Sequence, residues 1–87
     1  MCTNIATSTP VTGSAKTASG WTRVNEATMS FDHASHTWTE HALRIDFVDA
    51  NDEKADRVAV ELDLESGRAL LRRLEEVIDA ADKSGVA

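Results

Sequence analysis

The sequence predicts an α+β domain in the order β-β-β-β-α: a four-stranded antiparallel sheet with one C-terminal amphipathic helix packed on one face. Three observations carry this reading. Apolar and polar residues alternate through residues 27–32, 42–47 and 57–62, the period-2 pattern of half-buried strands. After Leu62 the period changes to 3.6. The stretches between strands are short enough for hairpins, so antiparallel pairing is the economical topology.

The elements follow in order. Ile5 to Val11 is rich in β-branched residues and forms the first strand, whereas residues 13–20, GSAKTASG, have the composition of a turn or flexible loop. Trp21 opens a second strand, in which Ala27, Met29 and Phe31 alternate with Thr28, Ser30 and Asp32. In the third, Leu43, Ile45 and Phe47 point one way and Ala42, Arg44 and Asp46 the other. Residues 49–56, DANDEKAD, make an acidic loop, and Val58, Val60 and Leu62 then alternate with Arg57, Ala59 and Glu61. The helix carries Leu64, Leu70, Leu71, Leu74, Val77, Ile78 and Ala81 on one stripe, with Arg68, Arg72, Glu75, Glu76 and Asp79 opposite. Asp63 suits the N-cap, Glu65 the positive end of the helix dipole, and Lys83 with Gly85 the C-terminus.

Length and charge set the outer limits. The 87 residues form a single domain, 1–87, with a flexible Thr/Ser/Gly-rich segment within residues 1–20. A chain this short buries only about 60–65% of its unfolded surface, and one helix covers only part of a sheet face, so a homodimer is the expected assembly. The single cysteine, Cys2, rules out an intramolecular disulfide and fits a reducing compartment, and the opening MCTNIATSTP has neither the charged nor the apolar region of a secretory signal. The expected location is the cytoplasm. Fifteen acidic against nine basic residues, a net charge of -6, would repel a nucleic acid backbone or an anionic membrane. A small-molecule ligand is the expected partner.

All three histidines fall in FDHASHTWTEHA, residues 31–42. Pairing Phe31 with Leu43 and Met29 with Ile45 joins two apolar rows on one face, and the same register sets His33 opposite His41. Such partners have Cβ atoms about 4.5–5.5 Å apart, close enough for two imidazoles to share an ion or a water. His36 sits in the connecting loop. Continuing to the fourth strand, Leu43 meets Leu62, Phe47 meets Val58, and Arg44 faces Glu61.

Three imidazoles at the mouth of a sheet suit a divalent transition metal, Zn or Fe, with a position left open for water or substrate. In this reading His33, His36 and His41 are ligands, Glu40 is the general base, and Cys2 is either a further ligand or a nucleophile once Met1 is removed. Alternation sends Asp32 to the polar face. The expected function is a metal-dependent lyase, hydrolase, isomerase or oxidative step on a small biosynthetic intermediate. Two rivals stand beside it: a metal-free acid–base enzyme using His33 or His41 with Asp32 or Glu40, and a non-catalytic protein-interaction module. The spacing His-x2-His-x4-His is no strong metal signature, and the plain alternative is that His33 and His41 merely end the core face. Trp38 either walls a ligand pocket, joins a dimer contact or packs over its loop. The GSAK run lacks the spacing of a phosphate-binding loop.

The opening MCTNIA, GSAK followed by GW, FDHASH leading into EHALRIDF, and RVAVELDLESGRALL together resemble a family of small bacterial proteins of unknown function, some encoded near secondary-metabolism genes. The resemblance spans most of the chain and draws attention to Cys2, His33, His36, Glu40 and His41. Ala34 stands where the family pattern has proline and Thr17 where it has glycine, which loosens the turns beside His36 and the first loop.

Overall fold

The computed structural model describes residues 3–86. It contains β1 (Ile5–Thr17), β2 (Gly20–His33), β3 (His41–Val48), β4 (Val58–Leu62) and α1 (Leu64–Ser84). The strands form one antiparallel sheet in the order β1-β2-β3-β4, an open meander with β1 and β4 at its edges.

The register between strands is the one the alternation predicts. Phe31 faces Leu43, Met29 faces Ile45 and His33 faces His41. Leu43 faces Leu62, Arg44 faces Glu61 and Phe47 faces Val58. A slip of one residue would move every apolar side chain of a strand to the other face, so the apolar rows fix this register. Residues 13–17 belong to β1, so the strand runs on where composition suggests a loop. Pairing with the start of β2, Gly13 opposite Val24 through Thr17 opposite Gly20, confines the turn to Ala18 and Ser19. Gly20 takes a φ of 115°, a conformation open to glycine and strained for other residues. A bulge between Pro10 and Gly13 interrupts the ladder of this edge strand.

The two faces are covered unequally. Phe31, Leu43, Ile45 and Phe47 are only half-buried, and among the described residues no large side chain is fully buried. The buried positions of β3 are instead Ala42 at 2% exposure and Asp46 at 8%, both on the face that alternation marks as polar. Asp46 earns its burial through pairing: it accepts from Arg44 Nε at 3.1 Å and from an Arg57 terminal nitrogen at 2.7 Å. A carboxylate at this depth needs such partners, because leaving it unpaired costs its full desolvation.

Helix α1 has the caps the sequence predicts. The Asp63 carboxylate accepts from Ser66 N–H at 2.7 Å, and Gly85 closes the helix in the left-handed conformation with a φ of 72°. Exposed pairs along its polar side, Arg73 with Glu76 at 2.8 Å and Lys83 with Asp79 at 2.9 Å, contribute about 0.3–0.5 kcal/mol each. The helix approaches the sheet in its first turns, where buried Gly67 lies against Leu43. A Cβ at position 67 would stand 2.6 Å from a Leu43 methyl, so glycine is what allows the close approach. Beyond that contact the apolar stripe is open: Leu71 is 56% exposed and Val77 67%. Asp63 is the sole residue between β4 and α1. Strand-to-helix connections usually take about 2–6 residues, and the single extended residue here leaves α1 little room to turn back along the sheet. The helix therefore meets the apolar face at one end instead of lying along it.

Replacing Asp46 with Ala removes two charge-assisted hydrogen bonds from arginines that are 41% and 60% exposed and can turn to water, so stability in urea denaturation should fall by about 1 kcal/mol. Arg57→Ala should cost less, because its side chain is 60% exposed and Arg44 still pairs with Asp46.

Candidate functional site at the histidine hairpin

The β2–β3 hairpin brings two of the three histidines together. His33 and His41 stack with ring centroids 4.7 Å apart and planes 28° from parallel. His41 also stacks on Phe31, at 5.7 Å and 20°. The result is a row of three rings, Phe31–His41–His33, running from the apolar face to its exposed end. Cross-strand pairing causes it: His33 opposes His41 directly, and Phe31, two residues earlier in β2, lies diagonally across on the same face.

His36 goes elsewhere. The loop from Ala34 to Glu40 folds over the polar face, where the Glu61 carboxylate receives three consecutive amides. Ser35 N–H donates to one oxygen at 2.8 Å, and His36 N–H and Thr37 N–H donate to the other at 2.8 and 3.0 Å. The Thr37 hydroxyl donates to the Glu61 carbonyl at 3.3 Å. His36 thus lines a hollow with Arg44, Ala59 and Glu61, across the sheet from the stacked pair. Three amide donors, with the His36 charge nearby as a lesser cause, lower the Glu61 pKa to about 2 from an ordinary value of 4.5. Arg44, although opposite Glu61 in register, sends its Nε to Asp46.

The remaining site residues separate as well. Glu40 has an exposed side chain, and its carbonyl closes the loop by accepting from Ala34 N–H at 3.1 Å. Asp32 lies on the polar face, as alternation requires, and its carboxylate accepts from the His33 backbone N–H at 2.8 Å. Trp38 is 89% exposed, so it stands out from the loop instead of packing over it. Cys2 lies outside the described residues. Among the described residues no three His, Cys, Asp or Glu side chains converge as a metal-binding group. A three-histidine centre requires His36 on the side of the sheet that its loop turns away from.

Glu61 is the residue that sequence reasoning missed. Its one signal was a carboxylate opposite Arg44 on the polar face, which suggests a cross-strand ion pair and not a latch for a loop about 25 positions away.

The site is thus an imidazole pair at the end of the apolar face of an open meander that carries a C-terminal helix. The chain belongs to a family of unknown function, DUF6295, whose model matches residues 1–87. No curated protein and no solved structure matches it. Among the described residues no helix is long and apolar enough to cross a membrane.

The latch has a pH signature. A carboxylate whose pKa is lowered by folding stabilises the folded loop fully above its unfolded value, and that contribution is lost as pH falls through the folded one. Below about pH 4.5 the backbone amide signals of Ser35, His36 and Thr37 should therefore shift together as pH approaches about 2. In the Glu61→Ala variant they should lie at released-loop positions at every pH.

Proposed function

We propose that the protein binds a small organic molecule at the end of its apolar face and uses the His33–His41 pair to move a proton on it. The observation that carries this reading is the ring row: two imidazoles in stacking contact, continuous with Phe31 and an open apolar surface. The apolar side chains offer a ligand hydrophobic contact, and each adjoining imidazole, when neutral, offers one nitrogen that accepts and another that donates. Proton transfer of this kind serves dehydration, cyclisation and isomerisation. Glu40, exposed on the loop and tied down only through its carbonyl, does not support the general-base role that the sequence suggests.

His36, in the hollow beside Glu61, does not join His33 and His41 as a third ligand in this arrangement. Two neighbouring imidazoles still present two nitrogens, and metal content is the measurement that separates the readings.

Ligand-observed NMR with a library of small aromatic and carbonyl compounds tests the proposal on protein purified without a metal-affinity tag. Compounds bound by the wild type should lose at least roughly tenfold in affinity in His41→Ala, a loss of about 1.4 kcal/mol or more. His36→Ala should bind as the wild type does. Equal loss in both variants, or binding untouched by His41→Ala, would overturn the assignment. A stoichiometric transition metal that disappears in His41→Ala would replace it with the metal reading.

A further inference from the structure

The helix leaves an apolar stripe exposed and the sheet an apolar face only half-buried, and the two match in length. The stripe from Leu64 to Ala81 is about 27 Å long at the helical rise, and the eight residues of β3 span about 26 Å of strand. One chain therefore carries both an exposed helix stripe and a half-buried sheet face of comparable length, and within the chain α1 reaches that face only around Gly67.

The exposed area says what covers them. The chain has 6738 Å² of accessible surface, about a third more than the roughly 5,000 Å² expected of a compact protein of its mass. Its radius of gyration is 14.6 Å, where a compact domain of this length has about 12 Å. The surplus is in the range that each subunit of an obligate homodimer buries, about 1,000–2,500 Å². An unrelated helix seated on the sheet would leave the stripe of α1 exposed, and an unrelated sheet over α1 would leave the face exposed. A second copy covers both at once.

We propose that two copies of this chain exchange helices: α1 of each lies with its apolar stripe along the Phe31–Leu43–Ile45 face of the other, in a closed two-fold pair. Gly67 against Leu43 is then the pivot at which each helix crosses from its own sheet to its neighbour's. A hinge too short to fold back favours such an exchange. The inference shares Phe31 and the apolar face with the ligand reading, which it confines to the imidazole end of that face, and it is argued from the stripe and the face without the imidazoles.

Sedimentation equilibrium of the full chain at micromolar concentration should give twice the 9.4 kDa of one chain. A monomer overturns the proposal and leaves the surfaces to a different protein. Leu74→Glu combined with Val77→Glu puts charge on the stripe and should weaken self-association at least roughly a hundredfold, as loss of interface hot spots does. A dimer that survives unweakened overturns the assignment to α1. Should that variant fail to fold, a short Gly-Ser insertion between Leu62 and Asp63 supplies the second arm. It frees the helix to fold back and should produce a helical monomer, and an unchanged dimer counts against exchange. In a mixed sample of labelled and unlabelled chains, methyl contacts from Leu70 and Leu74 to Ile45 should appear between chains. Contacts confined to one chain overturn the exchange.

Discussion

The pairing of β2 with β3 sets the position of nearly everything else. Once Phe31 lies opposite Leu43, the register decides which residues share each face, and the two strand ends bring His33 to His41 without any contribution from the loop. The same pairing leaves the loop free to fold to the other side, where Glu61 holds it through three amides. The hairpin thus serves the two faces differently: its strands carry the imidazole pair on the apolar side, and its loop roofs part of the polar side. Ala42 is among the least exposed residues, although alternation places it on the polar face.

A second constraint comes from the passage between sheet and helix. Asp63 ends one element and caps the next, its extended backbone leading out of β4 while its carboxylate accepts from Ser66 N–H. This economy fixes the direction of α1. Most of what keeps a helix such as this one folded in a protein is packing of its apolar side. Only the turn around Gly67 has that support within the chain.

The strands, their order and register, and both helix caps were legible in the sequence because each rests on a local signal: alternation, periodicity, or a capping residue at the right offset. The extension of β1 through Thr17 was not, since GSAKTASG has turn composition and only pairing with the start of β2 makes it a strand. The site was legible in part. Register alone predicts that His33 meets His41. The separation of His36 depends on a carboxylate in β4 finding three loop amides, a contact between distant segments that no spacing within residues 31–42 encodes. Burial of Asp46 was hidden for the same reason, because Arg57 reaches it across the β3–β4 pair.

The edges of the sheet bear on how the protein avoids uncontrolled growth. An open sheet offers two rows of unpaired backbone groups, which in many proteins template fibres. Here one edge is β1, where Pro10 has no N–H to offer and the bulge between Pro10 and Gly13 breaks the ladder, and the other is β4, five residues long. Strand-by-strand extension is obstructed at both ends. The molecule can therefore keep an exposed apolar helix stripe and a half-buried sheet face without inviting polymerisation through its backbone, which leaves side chains to choose what it joins.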